Sequence, residues 1–115
     1  MFVMDSHLID VEGGMRRNGN DYFFYMCHLQ RFLNDTNMVK LCDALSHGDM
    51  AQSFFFAHTL KGVTAQLGIV ALYNPLISLC DLLRTQNSAD LRQAQASLPQ
   101  LLSLYDAVIK EIESY

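Results

Sequence analysis

The sequence has few charged residues and no cluster of basic ones. Only 17% of the 115 residues are charged, whereas 50% are hydrophobic. Because disordered chains combine low hydrophobicity with high net charge, this composition excludes global disorder and indicates a folded domain. The 8 basic and 12 acidic residues give a net charge of −4, and no run of Lys or Arg resembles the electrostatic footprint of nucleic-acid-binding proteins. We therefore expect no nucleic-acid partner.

Long apolar runs and export signals are also missing. The most apolar stretch is interrupted by Gln66, Asn74 and Pro75, whereas a membrane-spanning helix needs about 18 or more uninterrupted apolar residues. The first ten residues, MFVMDSHLID, lack the basic start and the longer apolar core of a signal peptide. These absences predict a chain that is neither exported nor inserted into a membrane, and we expect a cytoplasmic location.

Paired cysteines and metal-binding spacings are missing as well. The three cysteines are odd in number and far apart, with no C-x-x-C motif and no zinc-type spacing to histidine. We expect Cys27, Cys42 and Cys80 to be reduced thiols. Three histidines have no second His or Cys four residues on, so that solvated or capping roles are expected for them: His7, His28 and His47.

The sequence does contain helical signals over its whole length. Leu, Ala, Met and Gln are abundant, runs of alternating β-branched residues are absent, and polar turns divide the chain into five or six predicted helices. A chain of this length is the size of one domain, so residues 1–115 are predicted to form a single unit. Short helix connections favour antiparallel neighbours, and the predicted fold class is an all-α bundle.

Caps and glycines predict where the helices begin and end. A first long helix is expected to be capped near Asn20, a second to end at Gly48, and a third to run from an Asp49 cap to Gly68. The first helix is predicted to bury Tyr22, Met26, Leu29 and Leu33, with its apolar surface widened by Phe23, Cys27 and Phe32. The second is predicted to bury Met38, Leu41, Cys42 and Leu45.

Two prolines leave the later helix limits open. Pro75 would cost about 3 kcal/mol inside a helix but is tolerated at the first helical position, so a helix either begins afresh at Asn74 or is kinked there. Ser88 is expected to cap the last segment, where Pro99 poses the same alternative. Residues 8–19 are predicted to form a short helix or a strapping segment.

The stretch FFFAHTLKGVTAQLG, residues 54–68, divides into two faces when it is drawn as a helix with about 100° per residue. Opposite His58 lies the predicted core face, which consists of Phe56, Leu60, Val63 and Leu67. On the side of His58, either another helix covers two large aromatic residues or they form a surface patch for a partner. The residues within about 60° of His58 are Phe54, Phe55, Lys61, Gly62 and Ala65.

This stretch resembles the signature of histidine-containing phosphotransfer (HPt) domains, in which H-x-L-K-G is followed by small residues and L-G. The resemblance covers nearly the whole chain, since residues 9–21 and 31–33 are similar to the family's opening helices. The matching positions of the motif are His58, Leu60, Lys61, Gly62, Leu67 and Gly68.

The resemblance implies an antiparallel four-helix bundle with additional short N-terminal helices and a phosphoryl group carried on His58. That group is received from an aspartate of a response-regulator receiver domain and handed to another such aspartate, in a relay that includes a hybrid sensor histidine kinase. The chain is then a phosphoryl carrier rather than an enzyme, with no intrinsic cofactor, and Mg²⁺ is expected on the receiver. In agreement, the sequence has no ATP-binding loop and no acidic metal cluster.

Each matched residue has a physical role beside this resemblance. A neutral imidazole is a good nucleophile, and the ordinary histidine pKa of about 6.5 leaves much of the side chain neutral at pH 7. Lys61 can place an ammonium group beside phosphoryl oxygens, and Gly62 leaves the surface bare for an incoming aspartyl phosphate. Phe54, Phe55 and Ala65 are candidate binding residues for the receiver.

One position departs from the family's pattern. In several members a Gln or Glu twenty-two residues after the histidine orients the imidazole, but that position holds Cys80, a weak hydrogen-bond partner. Arg84, four residues later, matches a basic residue of some members and is a candidate phosphate neighbour.

Two alternatives to phosphotransfer are open. One is a helical scaffold that docks a receiver or kinase without transfer. The other is a bundle that binds haem or a metal through His58, for which the sequence offers no convincing second ligand.

Overall fold

A computed structural model describes residues 7–115. Residues 1–6, part of the leading stretch for which we predict no export signal, lie outside the described residues. Helices make up 83% of the described part, which contains no strand, so the all-α prediction is confirmed. The elements are α1 (Val11–Arg17), α2 (Tyr22–Arg31), a short 3-10 helix (Phe32–Asn34), α3 (Asn37–Ser46), α4 (Met50–Leu67), α5 (Val70–Arg84) and α6 (Ser88–Ser114).

The limits of α4 are those that the sequence predicts. Asp49 is its N-cap, and the Asp49 carboxylate accepts a hydrogen bond of 3.0 Å from the backbone N–H of Gln52. Gly68 ends the helix with φ +76°, a left-handed conformation that glycine adopts without steric penalty. Gly48, just before the cap, has φ +71° and ends the turn after α3, as expected.

Two other caps lie one residue from their predicted positions. The N-cap of α2 is Asp21, whose carboxylate accepts from the backbone N–H of Phe24, because Asn20 adopts a left-handed conformation in the preceding turn. The N-cap of α6 is Asn87 rather than Ser88, and the Asn87 amide oxygen accepts from the backbone N–H groups of the first turn.

Both prolines lie inside continuous helices. Of the two alternatives left open for Pro75, a fresh helix start at Asn74 is excluded, because α5 starts at Val70 and runs through Pro75. Leu72 and Leu76, on either side of the proline, are both fully buried, and this packing offsets the hydrogen bond that proline cannot make. Likewise, α6 continues through Pro99.

The buried stripe of α2 differs from the predicted one. Its fully buried side chains are Tyr25 and Leu29, and the stripe continues into Phe32 of the 3-10 helix. Phe23 is 82% exposed and Cys27 is exposed, so neither extends the core surface. The predicted core residues Tyr22, Met26 and Leu33 are half-buried.

The core stripe of α3 is largely as predicted. Met38, Leu41 and Leu45 are buried, with Ala44 beside them, whereas Cys42 is half-buried. Around this core, α4 packs against α3 and α5, and α6 packs against α5 and α3. None of the helices within residues 7–115 combines the length and apolar character that crossing a membrane requires.

The N-terminal helices α1 and α2 cover the C-terminal end of α4. The Tyr25 hydroxyl donates a buried hydrogen bond of 2.7 Å to the carbonyl of Leu67. The Asn18 amide donates to the carbonyl of Gln66 at 3.2 Å. The backbone N–H of Asp10 donates to the carbonyl of Gly68 at 2.7 Å. Helix ends leave carbonyls without intrahelical partners, so these bonds fix α4 at this end.

Candidate functional site

The core face of α4 is rotated by about 40° from the predicted one. Leu60 and Leu67 are buried as expected, but the predicted core residues Phe56 and Val63 are only half-buried. Small side chains at the centre of this face allow α3 and α5 to approach α4 closely. They therefore take the central positions in place of the larger apolar side chains. The buried residues of α4 are Ser53, Ala57, Leu60, Thr64 and Leu67.

His58 lies in the middle of α4, on the side away from this core face, and is exposed. Two other histidines, His28 in α2 and His47 at the C-cap of α3, hydrogen-bond through Nδ1 to the backbone carbonyl four residues earlier, at 3.0 and 2.8 Å. Within residues 7–115 no group hydrogen-bonds to the imidazole of His58. Both of its ring nitrogens are therefore without a hydrogen bond within the described residues.

Phe54 lies one turn before His58 and stacks on it. The ring centroids are 5.7 Å apart and the planes differ by 18°, an offset-stacked arrangement. The Arg84 guanidinium of α5 lies over the Phe54 ring, 5.5 Å from its centroid. Arg84 also forms an exposed ion pair with Asp81 at 2.9 Å, a kind of contact that contributes only about 0 to 1 kcal/mol. The Phe54 ring thus contacts both the His58 imidazole and the Arg84 guanidinium.

Lys61 and Arg84 converge on Cys80. Burial raises the pKa of the Cys80 thiol, while the positive charges of Lys61 and Arg84 act in the opposite direction. No carboxylate lies within ion-pair distance of Lys61 in the part of the chain that the structure describes. Lys61, three residues after His58 on α4, and Arg84 of α5 thus both act electrostatically on the Cys80 thiol.

Cys80 stands where the resemblance expects an orienting Gln or Glu, but it makes no contact of that kind within the described residues. Its side chain is fully buried in the core, and no hydrogen bond joins it to His58 among the described residues. Because burial raises its pKa, the thiol stays protonated at neutral pH and is at most a weak donor. The orientation of the imidazole has to come from elsewhere.

Gly62 lies on the other side of His58. A Cβ atom added to it would have no neighbour within 4 Å, so no packing contact requires glycine at this position. The glycine borders an open groove of about 350 Å³ between α4 and α2, whose other walls include His28, Arg31 and Phe32. Sequence analysis missed His28 and Arg31 as neighbours of the site, since no spacing within one helix reports that α2 lies beside α4.

The two remaining binding candidates lie apart from this cluster. Phe55 is 59% exposed and packs edge-to-face on Phe56, with ring centroids 5.3 Å apart. Ala65 is half-buried, two turns beyond His58 on α4. The structure thus places Phe54 against His58 and Arg84 against Phe54, and leaves Phe55 on an open surface.

Comparison with protein families shows which family this chain belongs to. The family model of the Hpt domain matches residues 29–111, more than two thirds of the chain. The chain belongs to the Hpt domain family. Hpt domains are phosphocarriers of histidine phosphotransfer in two-component phosphorelays, where they interact with receiver domains and kinases. No curated protein and no solved structure matches the chain significantly.

The His, Cys, Asp and Glu side chains are dispersed over the described part of the chain. Within residues 7–115, no three His, Cys, Asp or Glu side chains come together in a way that could hold a metal ion. The three cysteines are free, with Cys27 exposed, Cys42 half-buried and Cys80 buried.

Proposed function

We propose that this Hpt domain carries a phosphoryl group on His58, accepting it from an aspartate of one receiver domain and passing it to an aspartate of another response regulator. The observation that carries the proposal is the state of the imidazole. His28 and His47 have a ring nitrogen bound to their own helix, whereas His58 is exposed and has no hydrogen-bond partner within the described residues.

The proposed transfer needs only a neutral imidazole and an acyl phosphate. The unprotonated ring nitrogen of His58 forms a bond to phosphorus as the bond between phosphorus and the aspartyl oxygen breaks, and the aspartate leaves as a carboxylate. The product is a phospho-imidazolium, whose remaining N–H proton can pass to water. Transfer to the next receiver is the reverse reaction on a second aspartate.

The charges beside His58 suit a group with oxygen anions. We propose that Lys61 stabilises the phosphoryl oxygens during transfer and in the phosphohistidine, because its ammonium group has no ion-pair partner among the described residues. Arg84 is the proposed second phosphate neighbour, since exchanging its weak exposed pair with Asp81 for a phosphoryl contact costs little.

Other residues of α4 are proposed to admit and bind the receiver domain. Gly62 leaves open surface beside the imidazole, where an incoming aspartyl phosphate has to land. We propose Phe55 as a docking residue for an apolar patch of the receiver, because an exposed aromatic side chain close to the reacting group is a typical binding anchor. Ala65 would lie under the same partner two turns along the helix.

The fold proposal follows from which helices touch. In the described residues α3 packs on α4 and α6, and α5 also packs on α4 and α6, which closes a ring of four helices. We propose that α3–α6 form an antiparallel four-helix bundle and that α1 and α2 are its additional N-terminal helices. The Mg²⁺ of the reaction is proposed to belong to the receiver, and the upstream partner to be a hybrid sensor histidine kinase.

Labelling from a phosphorylated receiver tests the proposal. The expected result is label on this chain that is labile to acid and stable to alkali, and that His58→Gln abolishes. His47→Gln is the matched control, because His47 is an exposed histidine at the C-cap of α3 whose Nδ1 is already bound to a backbone carbonyl. Absence of label across a panel of cognate receivers would contradict the proposal and leave a docking scaffold without transfer.

A further inference from the structure

Two helices of this domain carry the same pair of residues, a phenylalanine followed four residues later by a histidine, but the two pairs differ in geometry. In α2 the rings of Phe24 and His28 are 4.3 Å apart and tilted by 48°, and the His28 imidazole bonds to the Phe24 carbonyl. In α4 the rings of Phe54 and His58 are nearly parallel. The imidazole of His58 makes no corresponding hydrogen bond within the described chain.

We infer that Phe54 is a positioning residue, whose ring holds the His58 imidazole stacked and turned away from the helix backbone so that both ring nitrogens stay available. This inference rests on the proposed function of His58. It separates Phe54 from Phe55, although the sequence places both beside the histidine as candidates for docking a partner.

The first argument is what the two other histidines do without a parallel stack. His28, whose ring is tilted by 48° against Phe24, and His47, the C-cap of α3, both turn Nδ1 toward the carbonyl of the preceding turn. The equivalent acceptor for His58 is the carbonyl of Phe54. A ring that stacks in parallel on the Phe54 side chain cannot also turn its edge to that carbonyl, so the stack competes with the hydrogen bond.

The second argument is that Phe54 is itself fixed. Its ring is half-buried and packs against the core cluster, whereas Phe55 is mostly exposed. The Arg84 guanidinium lies over the ring from α5, and aromatic faces attract cations. The His58 ring thus stacks on a phenylalanine that contacts from two helices hold in place.

The third argument is that the other route to orientation is closed. The residue twenty-two positions after His58 is Cys80, which is buried and makes no hydrogen bond to the imidazole in the part of the chain described. A nucleophile that reacts in both directions of a relay needs a fixed ring, because misplacement by about 1 Å lowers rates by up to about 100-fold. Stacking on Phe54 provides this restraint without occupying a nitrogen.

The test compares two phosphoryl donors. Phosphoramidate is small and needs no docking surface: the imidazole nitrogen bonds to phosphorus, the phosphorus–nitrogen bond of the reagent breaks, and its protonated amino group leaves as ammonia. A phosphorylated receiver needs docking as well. A residue that only docks the receiver changes the KM for the receiver alone, whereas a residue that positions His58 changes the rate with both donors.

We expect Phe54→Leu to lower the labelling rate by about 10- to 100-fold with phosphoramidate and with saturating receiver. Phe54→Tyr keeps the ring and should restore most of the rate. Phe24→Leu is the matched control, since it removes the equivalent ring from the equivalent pair in α2 and should leave the labelling of His58 unchanged. Circular dichroism checks that each variant is folded.

A second measurement does not depend on transfer. The Phe54 ring current shifts the NMR signals of the His58 ring protons, and Phe54→Leu should move them while Phe24→Leu should not. Wild-type labelling rates with phosphoramidate for Phe54→Leu, or unmoved His58 signals, would overturn the positioning role. If wild-type protein takes no label from either donor, the proposed function is wrong, and the NMR signals alone decide whether Phe54 holds the ring.

Discussion

The C-terminal end of α4 and the region around His58 differ in the hydrogen bonds of their polar groups and in the surroundings of their glycines. At the C-terminal end, the Gln66 carbonyl accepts a hydrogen bond from the Asn18 amide at the end of α1, and the Leu67 carbonyl accepts one from the Tyr25 hydroxyl of α2. Around His58, the imidazole has no hydrogen-bond partner within residues 7–115. One turn earlier, the buried hydroxyl of Ser53 also has none, again within the described chain. One helix therefore has a firmly bonded end and an open middle.

Glycine has opposite meanings in these two regions. A Cβ at Gly14 of α1 would overlap the Tyr25 ring and the Leu67 carbonyl, so glycine there allows α1 to lie against the end of α4. A Cβ at Gly62 would meet nothing, although glycine inside a helix costs about 0.5 to 1 kcal/mol relative to alanine. The first glycine serves packing, whereas the second lowers stability and leaves surface open beside His58.

The largest expected effect is on transfer. Gly62→Gln should slow phosphoryl transfer from a receiver by about 100-fold or more, because the added side chain obstructs the approach of the aspartyl phosphate. The free energy of unfolding should stay equal or rise, since no neighbour is displaced. Labelling reactions quenched at successive times measure the transfer rate, and urea unfolding measures the free energy of unfolding. Transfer at the wild-type rate would show that Gly62 has no steric role.

The next effect is on stability at the firmly bonded end. Gly14→Ala should lower the free energy of unfolding by about 2 to 3 kcal/mol, because the new methyl group forces Tyr25 and the end of α4 apart. Urea unfolding measures it. The control is the same substitution at the open glycine, Gly62→Ala, which should raise stability by about 0.5 to 1 kcal/mol. If both substitutions changed the free energy of unfolding in the same direction, the proposed difference between the two glycines would be wrong.

A smaller loss is expected when only a hydrogen bond is removed. Tyr25→Phe should destabilise the fold by about 1 to 2 kcal/mol, because the Leu67 carbonyl then loses its buried partner. Labelling of His58 should be unaffected, since the bond lies at the other end of the helix.

The same tyrosine gives the expected dependence on pH. Burial, helped by the Asp10 carboxylate and opposed by Arg17, raises the pKa of the Tyr25 phenol above its ordinary value of 10.0. A group with a raised pKa in the folded state contributes stability that is complete below the unfolded pKa and is lost as the pH rises above it. The difference between wild type and Tyr25→Phe should therefore narrow above about pH 10. A constant difference up to pH 11 would contradict this account.

Local signals predicted the ends of helices better than their buried faces. The Asp49 cap and the Gly48 and Gly68 stops are confirmed because a cap depends on a few adjacent residues. Tyr25 was missed as a core residue. Its phenol hydroxyl has to reach an acceptor when the ring is buried, and that acceptor, the Leu67 carbonyl, lies 42 positions away in the chain.

The face of α4 shows the same limit. A helical wheel weighted by large apolar side chains predicts that Phe56 and Val63 are buried. The buried face instead includes the small residues Ser53 and Ala57. The motif around His58 was visible in the sequence because it lies within two helical turns. The contact of Arg84 with Phe54 was not, since it depends on how α5 lies against α4.

The bonded end of α4 has a consequence for how the domain carries a signal. The hydrogen bonds that attach this helix to α1 and α2 end at residues 66–68, about 12 Å or more along the axis from His58. None of the hydrogen bonds within residues 7–115 uses the imidazole. On the proposed function, a phosphoryl group arrives at and leaves His58 without breaking a hydrogen bond of the described fold. The message is then the covalent group itself, and the hydrogen bonds that hold α4 do not have to change for it to be carried.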